Sequence, residues 1–143
     1  MPWNGKMKCL KRKKKKMIIK VFNKLEEIQK YYDKKTNTYI FIENKGYIKL
    51  VIFNFDLKVD SNIRAYNIRA ENIDALNIDA IDINARDITA RNIDAWNINA
   101  RNIIYRALCV AYQNIKCKSI KGRRENARHY ALDGELEVEE NVD

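Results

Sequence analysis

A chain of 143 residues with a formal net charge of +9 is the size of one domain, and a split into two cores is not expected. The charge sits on the ends: residues 1–50 carry fifteen Lys and Arg against four Asp and Glu, residues 61–107 six of each, residues 108–131 six against one, and residues 132–143 six acids and no base. Three cysteines in a Lys-rich chain without an export signal or a long apolar run exclude a disulfide framework and a membrane span, so a reduced, cytoplasmic protein is expected.

Residues 1–16 are predicted to be a disordered basic tail, because few apolar residues accompany a run of like charges. Lys11, Arg12, Lys13, Lys14, Lys15 and Lys16 are candidate contacts for nucleic acid, which a polycation binds by counterion release without fixed structure. Met17 is itself a usable initiator. Residues 17–60 are predicted to form a small α+β cap. In it, 17–22 read as a strand, and Asn23 with Glu26 as a capping box. A short helix follows with Leu25, Ile28 and Tyr32 on one face. TYIFIE (38–43), a turn at 44–46 and YIKLVIFNFDLKV (47–59) then read as a hairpin. Such a cap would cover the unpaired strand edges at one end of the body that follows.

That body, 61–122, repeats every five residues. Ile stands at 63, 68, 73, 78, 83, 88, 93, 98 and 103, with Leu108 next; Ala follows two residues later from 65 to 100, then Tyr105 and Val110; Asn or Asp precedes each Ile. A period of five fits neither a helix nor a long strand, but it fits a three-residue strand and a two-residue turn. Ile and Ala then point inward, stacked strands pair above and below, and the product is a β-solenoid. Asn and Asp recur because their side chains bond neighbouring backbone at turns, so they are read as corner formers and not as catalytic pairs.

The (Asn/Asp)-Ile-x-Ala-x units from Asn62 to about Val110 resemble the pentapeptide-repeat family. That resemblance implies a single-stranded, right-handed, quadrilateral β-helix, mainly β, with four units per coil. This chain departs from the family pattern in placing Ala two residues after the large apolar residue instead of two before it. With four sides, residues twenty apart would stack: Glu71 on Arg91, Tyr66 on Arg86, Leu76 on Trp96, Ile81 on Arg101. The ending NIKCKSIKGRRENARHYALDGELEV is similar to those of small repeat proteins of low-GC bacteria and their phages, which implies a bacterial, phage or mobile-element origin and supplies no activity to carry over.

After Val110 the phase is predicted to slip, with units resuming at Asn114 and Ser119. Cys117 and Gly122 then take the inward small position, and Cys109 an outward one. Residues 123–143 are predicted to be a C-terminal cap, a loop followed by a strand at 132–138. Arg123, Arg124 and Arg128 are further candidate anion or nucleic-acid contacts, Arg being suited to phosphate and carboxylate.

Catalysis, cofactors and metal are not expected. There is no glycine-rich phosphate loop, the single His129 has no nucleophile placed beside it, and the Cys109, Cys117, His129 spacing matches no zinc pattern. The first expectation is therefore a non-enzymatic scaffold that binds a protein partner through its faces, with Leu76, Ile81, Trp96 and Arg101 as candidate contacts. The alternative is nucleic-acid association through the basic tail and the Lys116 to Arg128 cluster. A third is end-to-end self-assembly into a homo-oligomer, which the caps and the acidic terminal strand oppose.

Overall fold

The computed structural model describes residues 16–43 and 46–139. Residues 1–15 of the predicted basic tail, residues 44 and 45 of the predicted turn and residues 140–143 of the predicted C-terminal cap therefore lie outside the described residues. The body is a β-solenoid of about five coils, as the five-residue period predicts. Strands β7 (Asn62–Arg64), β8 (Asn67–Asp74), β9 (Asn77–Asp79) and β10 (Asp82–Cys117) are its successive sides, and β10 runs through its corners for 36 residues without a break. All stack in parallel.

The solenoid has three sides, not the four that the family resemblance implied. Ile63 pairs with Ile78 and Ile78 with Ile93; Ile68 pairs with Ile83, and Ile73 with Ile88. Residues fifteen apart are thus neighbours, and three units close one coil. A five-residue unit specifies one side and one corner, and it is the bonding between coils that reveals how many sides there are. At the corners, the carbonyl of Tyr66 accepts the N–H groups of both Ile81 (2.7 Å) and Asp82 (3.2 Å), and that of Ile81 accepts both Trp96 (2.8 Å) and Asn97 (3.0 Å). Each shared acceptor satisfies two turn amides that would otherwise be left without a partner.

The interior is filled by the repeat. Ile63, Ile68, Ile73, Ile78, Ile83, Ile88, Ile93, Ile98 and Ile103 are each at most 1 % exposed, and Ala75, Ala80, Ala85, Ala90, Ala95 and Ala100 are buried with them. Burying an Ile side chain is worth about 1.5–3 kcal/mol, so three per coil make this column the main source of stability.

The phase slips earlier than the sequence predicts. Inward positions after Ile103 and Tyr105 are Cys109 and Ala111, then Ile115 and Cys117, all buried, whereas Leu108 is 41 % exposed. Cys109 is therefore a core residue and not an outward one; Cys117 is inward as expected. The cause is Tyr105, which stands where Ala belongs and is 1 % exposed. A ring in place of a methyl group needs a wider coil, and the inward pairs are spaced six apart here instead of five.

The C-terminal segment continues the winding. Strands β11 (Ser119–Gly122), β12 (Arg128–Ala131) and β13 (Leu136–Val138) all stack in parallel on β10, with Ile103 on Ile120, Cys109 on His129 and Cys117 on Val138. Gly122 is dictated by space, because a Cβ there would lie 2.9 Å from Tyr105 Oη and would collide with Ala127.

At the other end, strands β1 (Lys16–Phe22), β2 (Tyr32–Asp33), β3 (Thr38–Ile40), β4 (Ile42–Glu43), β5 (Gly46–Phe53) and β6 (Leu57–Lys58) surround a helical turn at Leu25–Tyr31. The hairpin is present as β4 against β5, but the longer predicted strand stops at Phe53. The helix is a 3-10 helix, with three residues per turn, so Tyr31 and not the expected Tyr32 shares the buried face with Ile28; Leu25, one turn earlier on the same face, is left exposed at the helix start. Its start is held by Glu27, which accepts the Asn23 backbone N–H at 2.6 Å, and not by the expected Glu26. Phe22, Tyr31, Phe41 and Phe53 pack ring to ring at centroid distances of 5.1–6.0 Å. Phe53 pairs directly with Ala70 of the first regular coil, so this cluster adjoins the Ile column.

Candidate functional site at the aromatic corner

The fifth letter of each unit stands at a corner and points out, and the fifteen-residue coil sorts these letters into three columns. One column is apolar. The N–H of Ile81 bonds to the carbonyl of Tyr66, that of Trp96 to Ile81, and the Trp96 ring meets Tyr112 at 5.4 Å. Below, Tyr47 meets Tyr66 at 5.3 Å. Tyr66, Ile81, Trp96 and Tyr112 are 46, 40, 49 and 44 % exposed. Successive rungs lie about 4.8 Å apart, so the strip is roughly 15 Å long.

The second corner runs from Glu71 to Arg86, Arg101 and Lys118. Glu71 and Arg86 form an ion pair at 3.7 Å, and the Lys118 N–H bonds to the Arg101 carbonyl at 2.8 Å. The third corner carries Ser61, Leu76 and Arg91, joined by Leu76 N–H to Ser61 and Arg91 N–H to Leu76, and then Arg106 and Arg124.

The sequence-predicted contacts Leu76, Ile81, Trp96 and Arg101 are accordingly dispersed. Only Ile81 and Trp96 share a corner; half-buried Leu76 stands on the third and Arg101 on the second. The twenty-residue pairs fail for the same reason: Glu71 lies against Arg86 instead of Arg91, Tyr66 lies under Ile81 instead of Arg86, and Ile81 under Trp96 instead of Arg101. Leu76 lies under Arg91 and not against Trp96. Tyr66 and Tyr112 are the partners that sequence reasoning missed. Tyr66 was legible as a fifth letter fifteen residues before Ile81; Tyr112 lies beyond the slip, where the period no longer points to it.

On one side of the strip Arg64, Asp79 and Asp94 stack in turn, and burial together with the Asp79 charge holds the Asp94 carboxyl above the usual carboxylate range. Among the basic candidates, Lys11, Arg12, Lys13, Lys14 and Lys15 lie outside the described residues, and Lys16 opens β1. Arg123, Arg124 and Arg128 are all exposed, on the last coil. Arg128 donates to the Ala127 carbonyl at 3.0 Å. His129 is engaged, its Nδ1 2.7 Å from the buried Tyr105 hydroxyl. Cys109 lies in the core, where burial first and Cys117 second push its thiol up to about 12, so it is no nucleophile at neutral pH. No helix among the described residues is long and apolar enough to cross a membrane.

No protein-family model, curated protein or solved structure matches the chain.

Proposed function

We propose that this protein is a non-enzymatic scaffold of the pentapeptide-repeat type whose aromatic corner binds a protein partner. One observation carries the reading: Tyr66, Ile81, Trp96 and Tyr112 form one uninterrupted apolar strip, whereas the second corner is charged and the third carries Arg91, Arg106 and Arg124 beyond Leu76. Exposed aromatics grouped in this way are costly in water and typical of interface hot spots. Asp79 and Asp94 beside the strip favour a partner whose apolar ridge is flanked by Lys or Arg.

Affinity capture with the unaltered chain, with a Trp96→Ala/Ile81→Ser chain and with a Leu76→Ala chain tests it. A protein retained by the first and third and lost by the second supports the reading. Equal recovery by all three removes it.

A second reading, association with nucleic acid, is favoured by Arg91, Arg106 and Arg124 on one corner and Arg123 and Arg128 on the last coil. It predicts a steep, sequence-independent salt dependence in gel-shift titration. Negligible binding by both the full chain and one starting at Met17 would dispose of it.

A further inference from the structure

Alongside the second corner the solenoid surface opens into a cleft of about 310 Å³, lined by Arg86, Asn99, Arg101, Lys116, Lys118 and Glu139 among others. Arg86, Arg101 and Lys118 stand on successive rungs. Lys116 is the outward residue of the adjoining side, two residues from Lys118. Stacking fixes their backbones about 4.8 Å apart, so the charges are kept closer together than they would be on a flexible loop. Like charges held on neighbouring strands repel.

Arg86 is compensated by Glu71 at 3.7 Å. Among the described residues, no carboxylate lies within 4.0 Å of the side-chain nitrogens of Arg101, Lys116 or Lys118. Among the described residues, Arg101, Lys116 and Lys118 thus face one concavity without an ion-pair partner, together with Asn99 and, at its edge, Glu139. Arginine forks and lysine ammonium groups together are the usual means of holding phosphate.

The length of the ligand is bounded at both ends. Glu71 terminates the cationic column on one side. On the other, Glu137 stacks on Lys116, and Glu139, whose N–H bonds to the Cys117 carbonyl, follows Lys118. Three rungs span roughly 10 Å. A single phosphate could touch only part of that column, whereas a long polyanion running along the corner would meet carboxylates at each end.

We propose that this cleft binds a short oligophosphate, a chain of two or three linked phosphoryl groups held by Arg101, Lys116 and Lys118 with Arg86 at its margin. The site is independent of the aromatic corner and of the partner proposed for it.

Isothermal titration of the full chain with tripolyphosphate, inorganic phosphate and ATP at 0.15 M salt tests this. Tripolyphosphate is expected to saturate at one site, with inorganic phosphate much weaker. An Arg101→Ala/Lys118→Ala chain should lose roughly tenfold or more in affinity, since charge-assisted hydrogen bonds are removed. A Lys34→Ala/Lys35→Ala chain loses the same formal charge from exposed positions in the N-terminal segment and should bind as before. ATP binding tighter than tripolyphosphate would make a nucleotide the source of the phosphates; equal affinity would make the phosphate chain itself the ligand. The proposal falls if tripolyphosphate does not saturate, if inorganic phosphate binds equally well, or if both double variants weaken binding alike.

Discussion

Asn92 donates its side-chain N–H to the Oδ1 of Asn77, one coil below, at 2.8 Å, and Asn77 donates to Asn62 in the same way at 2.8 Å. The other two corners carry ladders of the same kind, but each contains an Asp. Asn97 donates to Asp82 and Asn102 to Asp87, at 2.9 and 2.8 Å. A carboxylate can accept from above and has no proton to hand down. The Oδ1 atoms of Asn67 and Asn72, directly beneath, are accordingly buried without a hydrogen-bond partner.

Asp82→Asn and Asp87→Asn should therefore each stabilise the solenoid, by about 1 kcal/mol, by supplying the missing donor. Thermal unfolding of the two variants and of their combination checks this, with Asn77→Ala as the opposite case. Unchanged or lower melting temperatures for the Asp variants would show that the ladders do not act as written.

Tyr105 and Gly122 form one fitted unit at the last coil. Gly122→Ala forces a methyl group against Ala127 and the Tyr105 hydroxyl, and should cost about 1–3 kcal/mol. Tyr105→Phe keeps the packing and removes the bond to His129, and should cost closer to 1 kcal/mol. Chemical denaturation of both distinguishes a steric role from a polar one.

Much of this was legible in the sequence, and the failures have physical causes. Ile63 to Ile103 could be assigned inward because one letter in five is the only way to keep a large side chain on the inner face of a short strand and a turn. The number of sides was not legible, because Asn recurs at fifteen and at twenty residues alike. Glu71 offers Arg86 at one spacing and Arg91 at the other, and only the structure selects Arg86. Leu108 concealed the slip: it satisfies the pattern chemically, yet the coil widened by Tyr105 turns it out and brings in Cys109. The aromatic corner was half legible for the same reasons, Ile81 and Trp96 being found and Tyr66 and Tyr112 not.

Cys109 should resist alkylation in the folded chain, since burial keeps its thiol protonated far above neutral pH. Peptide mapping after iodoacetamide treatment at pH 8 should find it unmodified without denaturant and modified with it. Rapid native labelling would contradict its place in the core.

Glu43 accepts a hydrogen bond from Tyr31 at 2.5 Å and lies 3.1 Å from the Lys20 ammonium; these two contacts, in that order, hold its carboxyl below the usual range. A carboxyl depressed in the fold stabilises it at pH values above its unfolded value, and that stability is lost as pH falls through the folded one. Glu43→Gln should therefore shallow the acid limb of the stability profile and leave the slope near neutrality unchanged. An unaltered acid limb would remove Glu43 from the account.

The three-sided coil is what brings Tyr66, Ile81 and Trp96 onto one corner and Arg86 and Arg101 onto another, and paired cysteines test it most directly. Stacked corner residues on adjacent coils are close enough to be joined, whereas residues on different corners are not. Under mild oxidation, a Tyr66→Cys/Ile81→Cys chain should form an intramolecular disulfide, and a Tyr66→Cys/Arg86→Cys chain should not. Bridging of 66 to 86 without bridging of 66 to 81 would establish a twenty-residue coil, and with it dissolve the aromatic corner.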